Sequence, residues 1–366
     1  MNLNSYMPVN IISGKGCVRK NSKVFSAYGS RCIIITGGNS AKQCGALADV
    51  EAALKENGIE YSVFDGITQN PYTADCHKAG SLARERKADF IVGIGGGSPL
   101  DAAKAVAVFA SNPELSHSDI YDMKHKNKPL KFILVGTTSG TGSEVTGVSV
   151  LTNSDNGMKK SIGGLYSEIS FCDYSYTLSV PYNVTVSTAI DAFAHVVEGY
   201  FSSMSSLLSD IYAEKAFSML KNGLKHFFDN GTLPDENMRQ ELYTASVVAG
   251  LALNITGACF PHTMGYVLTE DFGIPHGRAC GAFLVDYIHM AAEHKPEKAE
   301  KMFEIMETSE NELCDMIEKL SDIDISMTSE QIDGYVSRWV DPVKNFSRTP
   351  GNFTSDTARK LLEKYL

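Results

Sequence analysis

The stretch that most constrains this chain is "ADFIVGIGGGSPLDAAKAVAVFA", Ala88 to Ala110, in which a β-branched run enters the glycines Gly95 to Gly97 and leaves as an apolar helical pattern. A strand that passes at once into a helix belongs to a βαβ unit, and such units line up as parallel strands with helices across their faces. The first half repeats the alternation. "RCIIIT" (31–36), "YSVFD" (61–65) and "KFILVGT" (131–137) read as strands, while "AKQCGALADVEAALKENG" (41–58) and "TADCHKAGSLARERK" (73–87) carry apolar residues at helical spacing. The first of these helices is expected to stop at Asn57-Gly58.

Beyond "SVPYNVT" (179–185) the β-runs give way to long amphipathic stretches, "STAIDAFAHVVEGYF", "DIYAEKAFSMLKNGLKHFF" and "ENMRQELYTASVVAGLALN". The expected organisation is an α/β nucleotide-binding domain with a parallel sheet over residues 1–181 and an all-helical domain over 182–366. Pro181 disfavours a helical residue before it and leaves Asn183 or Thr185 to cap the helix that follows. With 43% hydrophobic residues among 366, there is material for two cores. A net charge of −10 and a pI near 5.4 argue against nucleic acid and anionic membranes as partners. The opening "MNLNSYMPVNIISGKG" lacks a basic leader and an apolar segment, and no run approaches the ~18 apolar residues of a membrane span, so a cytoplasmic protein is expected. The eight cysteines form no CxxC pair and are expected to be reduced and mostly buried.

Two kinds of chemistry stand out. The glycine loop ends at a helix whose opening is well specified, with Ser98 as expected N-cap, Pro99 as first helical residue and Asp101 as a capping-box-like carboxylate. Unpaired N–H groups there, approached closely through glycine, suit a phosphate, although the pattern is not the usual GxGxxG. A second loop rich in glycine and hydroxyls, "GTTSGTGSEVTG", follows the next strand. The other chemistry is metal binding. Asp191 and His195 lie four apart on one helix face, and His262 and His276 stand near the ends of "CFPHTMGYVLTEDFGIPHG". One carboxylate and three imidazoles suit zinc, iron(II) or a similar divalent ion, with room for a substrate oxygen.

With these motifs in place the sequence resembles the iron-containing alcohol dehydrogenases over nearly its whole length, through "GGGSPLDAAK", "TTSGTGSEVT", "DAFAHVVEGY" and "PHG" in that family's order. The resemblance implies the dehydroquinate synthase-like/iron-containing alcohol dehydrogenase fold and a homodimer, with Fe2+ held by Asp191, His195, His262 and His276. It also implies a cofactor site in which Gly96, Gly97 and Ser98, with Asp101 beside them, take the diphosphate. Asn70, Thr137, Thr138, Thr141, Thr146, Lys160 and Leu178 would line the rest. The family's usual second histidine after the third ligand is replaced by Tyr266, one helical turn beyond His262, which is expected to face the nicotinamide. Iron is the family's metal, while intrinsic affinity makes zinc an alternative.

Many NAD-preferring members carry an aspartate just after the first strand, where this chain has "TGGNSAK". Gly37 and Gly38 leave space, Asn39 and Ser40 bring neutral donors and Lys42 a positive charge, so NADP(H) is expected over NAD(H). The expected activity is reversible hydride transfer with a small primary alcohol or diol and its aldehyde. Two alternatives are a cyclising lyase like dehydroquinate synthase, which would need a lysine and arginine cluster absent from the metal motifs, and a non-catalytic nucleotide-binding protein.

Overall fold

The computed structural model describes residues 5–122 and 125–366. Its contacts divide the chain into two compact units, Tyr6–Val180 and, together with Ser5, Pro181–Leu366. The first contains, in order, β1 (Asn10–Ser13), α1 (Cys17–Lys20), β2 (Arg31–Ile35), α2 (Ser40–Gln43), α3 (Ala46–Glu56), β3 (Glu60–Phe64), α4 (Thr73–Glu85), β4 (Phe90–Gly95) and α5 (Gly97–Ser111). There follow β5 (Lys131–Gly136), β6 (Ser149–Thr152), β7 (Lys159–Ile162) and β8 (Ile169–Cys172). Six strands form one sheet in the order β1-β8-β5-β4-β2-β3, and every pair in it is parallel. The expected α/β unit with a parallel sheet is therefore present.

Alternation along the strands divides the core over two faces. Ile33, Ile35, Ile91 and Leu134 pack with α4 and α5, while Ile34, Val92, Ile94, Ile133 and Val135 pack with α3. A separate antiparallel hairpin joins β6 to β7. This hairpin, β1 and β8 were not expected, because four residues are too few for a periodic signal. The helix expected over 41–58 is broken in two at Gly45, whose φ of +88° no helical residue adopts; its end at Asn57 and Gly58 is as expected.

The second unit contains no strand among its described residues. Its helices are α6 (Tyr182–Phe201), α7 (Leu207–Asn230), α8 (Glu236–Thr256), α9 (Phe260–Asp271), α10 (His276–His294), α11 (Pro296–Met306), α12 (Glu310–Ser321), α13 (Ser329–Ser337) and α14 (Ser355–Leu362). Side-chain caps start several of them: Ser206 before α7, Asp235 before α8 and Ser309 before α12. The cap expected for α6 is a correction. Pro181 itself is the N-cap, and Thr185, inside the helix, donates its hydroxyl back to the Pro181 carbonyl at 2.9 Å. From Ala189 to Phe201 every residue of α6 is buried, so this helix is the axis around which the others pack. No single described helix is long and apolar enough to cross a membrane, although α8 and α9 together, bent by 113°, pass by length and composition alone.

Candidate functional site

Helix α6 carries Asp191, His195 and Glu198 at spacings of four and three, which puts all three on one face, and each is buried. Two further helices bring imidazoles to that face. His262 is the third residue of α9 and His276 the first of α10, so both sit near helix starts, where position along the axis is well defined. The Asp191 Oδ1 atom lies 3.5 Å from His262 Nε2, 3.7 Å from His276 Nε2 and 4.0 Å from His195 Nε2. The His195 and His262 rings stack at 4.4 Å. Gly277 makes the approach possible, since a Cβ there would stand 1.7 Å from the Ser187 carbonyl oxygen and 2.9 Å from Asp191 Cβ.

Asp191 Oδ1 and His262 Nε2 are buried without a hydrogen-bond partner. Two buried acceptors left facing one another cost free energy unless something satisfies both, and a cation does so. The donor set, hard carboxylate with borderline imidazole, suits iron(II) or zinc. Burial opposes ionisation of Asp191, but His195, His262 and His276 together hold its carboxyl well below the usual range.

Three neighbours of this group escaped the sequence reading. Cys280, one turn along α10 from His276, forms with Asp191, His262 and His276 a set whose ligand-type atoms all lie within 4.8 Å of one another. Burial pushes its thiol up to about 11, with His262 opposing. Glu198 reaches His262 Nδ1 with Oε1 and accepts the Cys259 N–H at 2.6 Å with Oε2. Lys104, discussed below, belongs to the other unit. The i, i+7 spacing of Asp191 and Glu198 and the i, i+4 spacing of His276 and Cys280 were the signals that could have found the first two. Tyr266 stands where the expectation needed it on α9: its ring stacks on His276 at 5.6 Å and 16°.

The residues expected to hold a nucleotide gather in the α/β unit. Helix α5 starts at Gly97 with Gly96 as N-cap, two residues earlier than the Ser98 start expected, and no side chain caps it. Its first N–H groups are thus left for a ligand rather than for a serine hydroxyl. The Gly96–Gly97 turn packs on the neighbouring loop: a Cβ on Gly97 would meet Thr141 Cγ2 at 2.7 Å and one on Gly96 would meet Thr138 Oγ1 at 2.9 Å. Ser98 Oγ accepts the N–H of Asn70, which sits at a φ of +58°. Thr137 donates its N–H to the Gly95 carbonyl. Thr146 is buried, Leu178 is exposed, and the exposed Lys160 holds its ammonium 5.1 Å over the Tyr121 ring.

Asp101 is not the capping carboxylate expected. Its oxygens accept from Ser143 Oγ at 2.6 Å and Val150 N at 2.8 Å, and Lys104 Nζ lies 3.5 Å away. Lys104, fully buried, also donates to the Ser143 and Val148 carbonyls. The pair ties α5 to the 137–150 segment from inside. Burial drives the Asp101 carboxyl up and the Lys104 ammonium down, each opposed by the other's charge.

At the end of β2, Gly38 has a φ of +52° with open space where a Cβ would stand, Asn39 is the N-cap residue of α2, and Ser40 Oγ lies 3.5 Å from the Gly37 carbonyl. The turn is nevertheless not free of acid. Asp65, just after β3, accepts the Gly38 N–H on its carbonyl and pairs with Lys42 at 3.4 Å, both side chains being exposed.

Models of two families match the chain, one described as "Iron-containing alcohol dehydrogenase" over residues 8–174 and one as "Fe-containing alcohol dehydrogenase family, C-terminal" over 185–332. A NADPH-dependent butanol dehydrogenase of Clostridium saccharobutylicum is 29% identical over 86% of this chain and 80% of its own. The crystal structure of an iron-containing alcohol dehydrogenase from Thermotoga maritima superposes with a TM-score of 0.91 at 33% identity, covering 99% of each chain. A sulfoacetaldehyde reductase from Bifidobacterium kashiwanohense, solved in complex with NAD+, gives 0.86 at 26% identity over 100% of this chain and 99% of its own. A polar cluster built for a divalent ion, a parallel-sheet unit with an uncapped glycine turn and these matches along both halves lead to one conclusion: the chain belongs to the iron-containing alcohol dehydrogenase family.

Proposed function

We propose that this protein is a metal-dependent alcohol dehydrogenase and aldehyde reductase that exchanges a hydride between NADP(H), in preference to NAD(H), and a small primary alcohol or diol. The single observation that carries it is the meeting of Asp191 with His195, His262 and His276, three imidazole nitrogens within 4.0 Å of one carboxylate oxygen. Oxidation removes a proton from the hydroxyl and a hydride from the carbon, and yields aldehyde, reduced cofactor and a proton. A divalent ion in the site supplies Lewis acidity at the substrate oxygen. Iron(II) follows from the family, and zinc would fit the same donors.

The remaining work falls to the chain's own groups. Asp191 and the three histidines hold the ion, with Asp191 kept ionised by the imidazoles around it. The free N–H groups at the start of α5 take the cofactor diphosphate, and Ser98, Asn70, Thr137, Thr138, Thr141, Thr146, Lys160 and Leu178 shape the surface around it. Asp101 and Lys104 act from behind, fixing the two loops to each other. Tyr266, stacked on His276, bounds the site; a phenol with a reference pKa near ~10 is a poor proton shuttle at neutral pH. The relatives' names, a NADPH-dependent butanol dehydrogenase and a sulfoacetaldehyde reductase bound to NAD+, support a nicotinamide cofactor and a short-chain substrate.

The test is a panel of alcohols and aldehydes with each cofactor, followed by nicotinamide absorbance, on protein purified anaerobically with its metal quantified. Turnover with short primary alcohols or aldehydes is expected; no absorbance change with any of them would remove the proposal and leave the lyase. A cytoplasmic homodimer completes the proposal, and light scattering that shows a monomer at micromolar concentration would contradict its dimeric part.

A further inference from the structure

We propose that Glu198 is a positioning residue for the metal site, holding His262 in the tautomer whose Nε2 lone pair faces Asp191. This rests on the reading of Asp191, His195, His262 and His276 as a metal site. Glu198 is wholly buried on α6, and no lysine or arginine is recorded against its carboxylate. A buried carboxylate without a cation needs hydrogen-bond donors, and it has two: Oε1 faces His262 Nδ1 and Oε2 takes the Cys259 N–H at 2.6 Å. Cys259 is the N-cap residue of α9, so Glu198 also sits at the positive end of the helix that carries His262.

The two contacts have one geometric result. Because an ionised carboxylate only accepts, His262 Nδ1 must carry the proton, and Nε2 is left with its lone pair. That Nε2 is the buried, unpartnered atom 3.5 Å from Asp191 Oδ1. The Cys259 contact fixes the first turn of α9, which sets where along its axis His262 enters. A hydrogen bond from Tyr287 Oη to the Glu198 carbonyl at 3.0 Å secures the backbone from which the carboxylate projects. Carboxylates that orient metal-binding histidines in this way typically contribute 10–100-fold to metal affinity.

The experiment titrates zinc into metal-free full-length protein against a chromophoric chelator, comparing wild type with Glu198→Gln, Glu198→Leu and His262→Ala. The expected zinc dissociation constant rises about tenfold for Glu198→Gln, whose amide oxygen can still accept from Nδ1, and about a hundredfold for Glu198→Leu. Nitrogen-15 spectra of the zinc-loaded wild type should show His262 protonated at Nδ1 and metal-bound at Nε2, a readout that needs no variant to fold. Zinc affinity unchanged in both Glu198 variants, with only their melting temperatures lowered, overturns the proposal, as does a His262 bound through Nδ1. If His262→Ala itself keeps full zinc affinity, the metal reading beneath it fails; if His262→Ala loses zinc while the Glu198 variants keep it, only the role of Glu198 fails.

Discussion

Asp191 Oδ1 and His262 Nε2 face each other at 3.5 Å inside the helical unit, both buried and neither with a hydrogen-bond partner. They come from helices whose sequences are 71 positions apart, so the arrangement is a product of the fold and not of local sequence. Removing His262 or His276 should therefore remove most of the bound metal and most of the activity together, while the helical core survives. Metal analysis and circular dichroism on His262→Ala and His276→Ala check this, and full metal content in both variants would refute the ligand assignment.

Tyr266 stacks on His276 through its ring, a contact that phenylalanine can also make. Tyr266→Phe should accordingly keep the metal and change the rate by less than about threefold, with an unchanged pH profile, because a phenol near its reference pKa moves few protons at neutral pH. A large loss of rate, or a displaced pH profile, would assign the hydroxyl a part in proton transfer.

Lys42 sets the expectation for the cofactor's 2′ position. It is paired with Asp65 at 3.4 Å, and both side chains are exposed, so the pair is weak enough for a phosphate to replace the carboxylate as partner. Lys42→Ala should lower kcat/KM for NADPH about tenfold, the worth of one charge-assisted hydrogen bond, and leave NADH nearly unaffected. Gly38→Asp should shift the ratio towards NADH. A native preference for NADH, or equal losses with both cofactors in Lys42→Ala, would show that this turn does not read the phosphate.

Lys104 and Asp101 form a buried pair that joins α5 to the 137–150 segment. Lys104→Met leaves the Asp101 carboxylate without its cation and should cost about 3–5 kcal/mol of stability. Denaturant titration measures that cost. In the protein that remains folded, KM for the cofactor should rise more than kcat falls, since the pair supports the nucleotide loops and touches no reacting atom.

The parallel sheet was legible because each strand on both of its faces is apolar and leads into a helix, as "ADFIVGIGGG" does. The four-residue strands β1, β6, β7 and β8 were not, since pairing with distant partners defines them more than their own pattern. Asp191 and the histidines could be picked out by residue type and spacing. Glu198 could not, because a glutamate on a helix reads as solvent-exposed until its burial is known. Asp101 was misplaced for a related reason: Ser143 and Val150, which claim its carboxylate, lie about forty to fifty residues away. Asp65 likewise reaches the β2 turn only through strand pairing, so the acid near Lys42 was hidden by sequence order.

The most direct measurement is stepwise reconstitution of metal-free protein with iron(II) under anaerobic conditions, following aldehyde-dependent oxidation of NADPH at each step. Activity should be negligible without metal, rise in proportion to bound iron and level off at one ion per chain. Undiminished turnover by the metal-free protein would contradict the account.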